Sequence, residues 1–249
     1  MNTNNITLYN GDCMEHLHNI EDASVDCIVT SPPYNKKFFN GNRNNFHHWR
    51  WDIDYASYSD DMPIEEYETW MIDFITVCLK KLKPNGSFFF NHKPIRHNNR
   101  VYFPIKFILD GKFDIYQEII WDRKSGPDVS NKYLMPSTER VYWLTNGVPK
   151  FYRNRLPLEY KKEVWSIAPD IGKNHPAPFT DKLVENLITM STDENDLVLD
   201  PFMGIGTTGI VARKLNRKFV GIELDKGYFD IATESITSIG RYDDFLFVD

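Results

Sequence analysis

A chain of 249 residues, 41% hydrophobic and 26% charged, is an ordinary globular composition and excludes a fibre or a disordered tail. At this length roughly 70% or more of the unfolded surface is buried on folding, so a sizeable core is expected. No apolar run approaches the ~18–20 residues that span a bilayer. Met1–Asn5 lack the charged and apolar regions of a signal peptide, so a cytoplasmic protein is expected. Three cysteines, Cys13, Cys27 and Cys78, are too few and too scattered for a disulfide framework or a four-ligand zinc site, and no metal is expected. The net charge of -6 does not advertise a polyanionic partner. Only residues at a contact release counterions, however, so a local basic face stays compatible with that sum.

Along the chain, Ile6–Tyr9 reads as a short strand ending at Asn10-Gly11-Asp12, followed by a helical turn or two over 14–20. Val25–Thr30 is a second strand, stopped by Pro32-Pro33, which cannot continue a ladder. Residues 65–82 place Tyr67, Trp70, Met71, Phe74, Ile75, Cys78, Leu79 and Leu82 at helical spacing, and Pro84-Asn85-Gly86 breaks the pattern. Ser87–Phe90 follows as a buried strand, and helix followed by buried strand is the rhythm of a parallel α/β sheet. The region 93–165 is less regular, with strands expected at 116–121 and 139–144. From Asp181 the alternation returns: helix to Met190, strand at Leu197–Leu199, glycine-rich turn, helix from Thr207 to Leu215, strand at Phe219–Glu223, and helix to Ile239.

The turn Asp200-Pro201-Phe202-Met203-Gly204-Ile205-Gly206-Thr207-Thr208 sits between strand and helix, and Gly209 completes a G-x-G-x-x-G spacing. Any sharp strand-to-helix turn uses glycines in this way; a ligand cradle also needs them, because they bring main-chain N–H groups close to the ligand. Asp200 at the strand end is a poor neighbour for a pyrophosphate and a better one for a cation. Glu223 ends the next strand about 20 residues on, the spacing of an acid that binds ribose hydroxyls, although a solvated strand-end acid fits equally. A ribose with a positive charge describes S-adenosylmethionine.

Thr30-Ser31-Pro32-Pro33-Tyr34-Asn35 is the most informative stretch. Pro33 holds Pro32 in extended geometry. A backbone so stiffened presents fixed acceptors, the Ser31 hydroxyl and the Pro32 carbonyl, beside an aromatic ring. That suits a planar substrate with an exocyclic amine; a proline-ended strand with a packed tyrosine is the plainer reading of the same residues.

Together these motifs resemble the amino-methylating DNA methyltransferases of the permuted β group, in which the catalytic D/S/N-P-P-Y motif precedes the F-x-G-x-G cofactor motif. The resemblance covers most of the chain. It implies a seven-stranded Rossmann-like α/β sheet in permuted order, opened so that Ile6–Tyr9 lies beside Phe219–Ile222. Residues 1–92 form its catalytic half, 93–165 a target-recognition region with part of the sheet, and 166–249 the cofactor half. Ser31, Pro32, Pro33 and Tyr34 are the implied catalytic set. The implied cofactor set is Asp12, Cys13, Ser31, His175, Pro176, Phe179, Asp200, Pro201, Phe202, Gly204, Gly206, Thr207, Thr208 and Glu223. Ile205 and Thr180 depart from the commoner Ser and Pro.

The resemblance also implies methyl transfer from S-adenosylmethionine to the amine of a base flipped from duplex DNA, by direct in-line displacement. C5-cytosine chemistry would need an activated thiol, and no cysteine here follows a proline as that nucleophile does. Ser in first position resembles N4-cytosine enzymes more than N6-adenine enzymes, and N6-adenine stays open. RNA or protein-amide methylation, or an inactive DNA-binding module, are the other readings. Candidate DNA contacts are Asn35, Arg50, Lys93, Arg96, Arg123, Lys124, Lys132, Arg153 and Arg155, with the Phe38–Asp61 segment as a flap or DNA-contacting loop. Double-stranded DNA is the expected partner. Any cognate restriction endonuclease belongs to another chain, and a homodimer is an expectation by analogy alone.

Overall fold

The computed structural model describes residues 2–3, 5–40, 60–124, 126, 131–169 and 179–239. Its elements in chain order begin β1 (Asn2–Thr3), β2 (Ile6–Asn10), α1 (Cys13–Leu17), β3 (Val25–Thr30), α2 (Lys36–Asn40), α3 (Ile64–Lys81) and β4 (Leu82–His92). A hairpin of β5 (Ile95–His97) and β6 (Arg100–Tyr102), helix α4 (Ile105–Asp110), β7 (Ile115–Asp122), β8 (Thr138–Leu144) and β9 (Val164–Ser166) follow. The last part is α5 (Asp181–Ser191), β10 (Leu197–Asp200), α6 (Thr207–Lys214), β11 (Lys218–Glu223) and α7 (Lys226–Ser238).

One sheet of nine strands runs β1-β2-β11-β10-β3-β4-β8-β7-β9. The five strands from β2 to β4 are mutually parallel, and β8 is antiparallel to both its neighbours. The expected seven strands form its middle; the correction is two short edges, β1 and β9, which extend it on either side. Two or three residues hold too little hydrophobic alternation to be read as strands beforehand. Ile6 pairs with Phe219 and Tyr9 with Ile222, so the first long strand does lie against the last.

Side-chain alternation sends consecutive strand residues to opposite faces. Cys27, Val29, Phe89, Val198 and Phe219 pack with α5, α6 and α7 on one face. Ile28, Phe88, Phe90, Leu199 and Ile222 pack with α1, α3 and α4 on the other. Every residue of β3 is buried, as expected of a parallel strand covered on both sides. The Pro84-Asn85-Gly86 break is accommodated inside β4: between the Val25–Leu82 and Cys27–Ser87 pairs the register shifts, and the intervening residues bulge out. Among the described residues no helix is long and apolar enough to cross a membrane.

Candidate active site

Parallel strands gather their carboxyl ends at one edge, the usual place for a ligand in such a sheet. Here β3 ends at Thr30, β10 at Asp200 and β11 at Glu223, and the loops that follow them line one pocket. Ser31 and Gly204 both face this cavity although 173 positions separate them in the chain.

On the glycine side, Gly204 and Gly206 take left-handed φ values of 54° and 88°. Glycine reaches these angles without the Cβ clash that penalises other residues. Glu223 holds this turn: its Oε2 accepts from Gly204 N at 2.9 Å and its Oε1 from Asp225 N at 2.9 Å. Gly204 is part of the pocket wall, whereas Gly206 makes the turn and faces Ala232 and Ile236. Gly209, the third glycine, sits where a Cβ would lie 2.5 Å from Ile236 Cδ1 and 2.6 Å from Phe219 Cε1, so its smallness serves helix–sheet packing.

Asp200 is 2% exposed, and its carboxylate accepts from Thr30 Oγ1 at 2.7 Å, Thr208 Oγ1 at 2.6 Å and Phe202 N at 3.1 Å. Burial nevertheless pushes this carboxyl up to about 6. Burial raises Glu223 as well. No cation of the described residues pairs with either. Asp12 also faces the pocket, but its Oδ1 accepts from Met14 N and Glu15 N as the N-cap of α1. Cys13 beside it is a buried thiol pushed up by desolvation, a packing residue rather than a nucleophile. Phe179, Pro201, Phe202, Thr207 and Thr208 complete the expected cofactor wall among the described residues. His175 and Pro176 lie outside them, as does Arg50. Thr180, where proline was the commoner residue, caps α5 by accepting from Leu183 N at 3.2 Å.

On the proline side, Tyr67 Oη donates to the Pro33 carbonyl at 2.7 Å, which fixes the turn to α3. The Tyr34 ring follows the Ser31 and Pro32 acceptors in the chain. It is only 7% exposed, and one face is already stacked on His92, with centroids 4.3 Å apart. Burial drives His92 down to about 3, so it is a neutral ring at physiological pH. The Tyr34 hydroxyl enters a network that motif reading did not reach. It lies 2.7 Å from Ser31 Oγ, donates to Glu139 Oε2 at 3.2 Å, and accepts from Asn91 Nδ2 at 2.7 Å. Asn91 Nδ2 also donates to Glu139 at 2.8 Å, and Arg123 pairs with the other Glu139 oxygen at 2.9 Å. Asn91 was within reach of a sequence argument, since it stands near the carboxyl end of a buried strand. Glu139 was not, because it arrives on the antiparallel β8 through a register no motif encodes.

The candidate DNA contacts divide. Lys93 and Arg123 line the pocket. Desolvation brings Lys93 down to about 8. Arg96 is exposed on the small hairpin, its guanidinium 4.7 Å from the centre of the Tyr133 ring. Lys124 and Lys132 are exposed. Asn35 is a correction: it is fully buried at φ +56°, and its amide is used up by Met62, donating to the carbonyl and accepting from N–H. It closes the base of the 38–61 excursion, whose residues 41–59 lie outside the described set; Lys36 N adds a 2.9 Å bond to Asp60. Arg155 lies away from the pocket. It binds Thr192 O at 2.7 Å and Asp193 at 2.8 Å, just before β10 begins and so at the opposite end of that strand from Asp200. Arg153 donates to Lys161 O nearby.

A family model described as DNA methylase matches residues 25–234. The chain belongs to the DNA methylase family. This methylase is 30% identical over 268 residues to the Type II methyltransferase M.BglII of Bacillus subtilis, covering 92% of this chain and 68% of that one. It is 31% identical to M2.LlaDCHI of Lactococcus lactis subsp. cremoris, with 96% and 91% covered. Among solved structures, the fold matches the cytosine-N4-specific PvuII DNA methyltransferase with a TM-score of 0.75 at 24% identity, over 95% of this chain and 92% of that one. TTHA0409 of Thermus thermophilus, solved in complex with S-adenosyl-L-methionine, matches with a TM-score of 0.65 at 26% identity, over 93% and 95%.

Proposed function

We propose that this methylase uses S-adenosylmethionine to methylate N4 of a cytosine flipped out of duplex DNA, by direct in-line displacement. One observation carries the reading: a single pocket holds two desolvated carboxylates without cation partners among the described residues on one side, and the Ser31–Tyr34 turn on the other. Burying anionic groups without a cation is costly, so the site is built for a ligand that brings positive charge. Asp200, Glu223 and the 204–208 turn fit such a molecule, and TTHA0409, a structural relative, was solved with S-adenosyl-L-methionine bound. When bound, it supplies an electrophilic methyl group.

The residues of this chain do the rest. Ser31 Oγ and the Pro32 carbonyl accept hydrogen bonds from the exocyclic amine, drawing its lone pair out of the ring and steadying the charge that develops on nitrogen. The rigid proline turn holds those acceptors still, so the amine is presented in one orientation. Serine at the head of the turn favours cytosine. Residues 93–165 form the target-recognition region, with Lys93, Arg96, Lys124 and Lys132 toward the phosphates. The reaction belongs in the cytoplasm of a bacterial cell, with a cognate endonuclease on another chain as the Type II relatives suggest.

Incubation with methyl-labelled S-adenosylmethionine and duplex DNA, beside RNA and protein controls, tests this. Label in DNA, recovered after digestion as N4-methylcytosine, is the expected result. N6-methyladenine as sole product overturns the choice of base, and label only in RNA or protein overturns the choice of substrate.

A further inference from the structure

We infer that Glu139 is a positioning residue that fixes the direction of the Ser31 hydroxyl, so that the pocket meets the target base with an acceptor only and selects an amine over a carbonyl. The inference deepens the proposed function and rests on it.

Counting protons sets the direction of each bond. Tyr34 has one hydroxyl proton and three polar neighbours: Ser31 Oγ, Asn91 Nδ2 and Glu139 Oε2. The carboxylate can only accept and the amide nitrogen can only donate. Tyr34 therefore gives its proton to Glu139. The 2.7 Å contact with Ser31 then requires the serine proton, and the chain runs Ser31 to Tyr34 to Glu139. Ser31 Oγ is left with lone pairs only. The two Asn91 Nδ2 protons go to Tyr34 at 2.7 Å and Glu139 at 2.8 Å, which leaves the 3.5 Å approach to Ser31 as a weak third contact. Arg123 anchors the far carboxylate oxygen at 2.9 Å, so Glu139 cannot turn away. Glu139 is 5% exposed, so its carboxylate depends on these protein partners more than on bulk solvent.

Reversing the last bond should reverse the chain. In Glu139→Gln, Arg123 keeps the amide oxygen, which turns the NH2 group toward Tyr34. Tyr34 then donates to Ser31, and Ser31 is free to donate into the pocket. Tyr34→Phe cuts the same chain in the middle while leaving the ring.

The test uses the full chain and a duplex carrying its recognised sequence, with the target base either unchanged or replaced by its keto analogue, uracil for cytosine or hypoxanthine for adenine. Binding is measured without turnover, and melting temperature confirms that each variant folds. The wild type should favour the amine over the keto duplex roughly tenfold or more, because two facing acceptors leave a buried group unpaired. Glu139→Gln and Tyr34→Phe should bring that ratio close to one, and Glu139→Asp should restore part of it. In turnover, Glu139→Gln and Tyr34→Phe should each lower kcat roughly 10- to 100-fold, and neither should add to the loss in a Ser31→Ala background. Glu139→Met is the second variant if Gln perturbs folding. An unchanged amine-to-keto ratio, or losses that multiply with Ser31→Ala, overturns the inference. A wild-type chain that labels no DNA overturns the proposed function instead, and the binding ratio is read independently of it.

Discussion

Thr30 and Asp200, 170 positions apart, are joined by a 2.7 Å hydrogen bond at the carboxyl ends of two adjacent parallel strands. The last residue of the strand that leads into the proline turn therefore holds the carboxylate that opens the glycine turn. The two halves of the site share a buried hinge of three groups, since Thr208 grips the other Asp200 oxygen at 2.6 Å. A change on one side is felt on the other through this carboxylate.

The elevated Asp200 carboxyl gives cofactor binding a pH dependence of definite sign. With its pKa near 6 in the ligand-free protein, the group is protonated below that value, while a positively charged ligand is held by the ionised form. Binding must then expel a proton, and affinity for S-adenosylmethionine should fall about tenfold per pH unit below about pH 6 and level off above it. Titration calorimetry across pH 5–8, in buffers of different ionisation enthalpy, reads both the affinity and the released proton. Asp200→Asn should flatten the profile, and Asp200→Ala should abolish binding. An unchanged acid limb in Asp200→Asn would assign the proton to Glu223.

Tyr34→Ala and Pro32→Ala separate chemistry from cofactor binding. Tyr34→Ala removes the ring against His92 and the hydroxyl between Ser31 and Glu139. Pro32→Ala loosens the backbone that aims the carbonyl. Each should cut kcat by two orders of magnitude or more, roughly the scale of losing a preorganised polar contact in a water-poor site. The dissociation constant for S-adenosylmethionine should move by only a few-fold. Single-turnover methylation and equilibrium binding, measured on the same preparations, distinguish the two effects. Normal turnover in Tyr34→Ala would remove that residue from the catalytic set.

Much of the site was legible in the sequence, for identifiable reasons. The strands β3, β10 and β11 are short apolar runs, the first two stopped by proline, and the turns after them line the candidate pocket, so local pattern located both of its walls. What stayed hidden depends on long-range register. Glu139 reaches Tyr34 because β8 lies antiparallel on β4, pairing Val141 with Asn91 and Arg140 with His92. Nothing near Glu139 in the chain announces that pairing. Asn35 misleads for a similar reason: beside a catalytic turn an asparagine looks like a contact, and only Met62 arriving from 27 positions away shows that its amide is spent. Charge alone was the poorest guide, since Arg123 and Arg155 read alike and yet one anchors the pocket and the other a loop at the far end of a strand.

Gly209→Ala tests whether the third glycine acts through packing rather than through the ligand. An added Cβ would lie inside van der Waals contact of Ile236 and Phe219, and α6 cannot retreat without disturbing the glycine turn at its start. Overpacking of this kind costs about 1–3 kcal/mol. Denaturant unfolding should show that loss. If instead stability is unchanged and only affinity for S-adenosylmethionine falls, Gly209 belongs to the cofactor cradle.

The two classes of arginine should differ in how their loss depends on salt. Arg96 is exposed on the hairpin and makes its described contact with the Tyr133 ring. A phosphate contact at that position contributes about one unit to the slope of log affinity against log salt, so Arg96→Ala should lower that slope by about one and weaken all duplexes alike. Arg155 spends its guanidinium on Thr192 O and Asp193. Its removal should cost about 1 kcal/mol of stability, the scale of one exposed ion pair with a backbone hydrogen bond, and leave the salt slope unchanged. Fluorescence anisotropy with a labelled duplex over roughly 50 to 300 mM salt, beside urea unfolding, reads both quantities. A shallower slope for Arg155→Ala would place DNA across the amino ends of the strands as well, and would mean that the duplex wraps further around the sheet than the pocket alone requires.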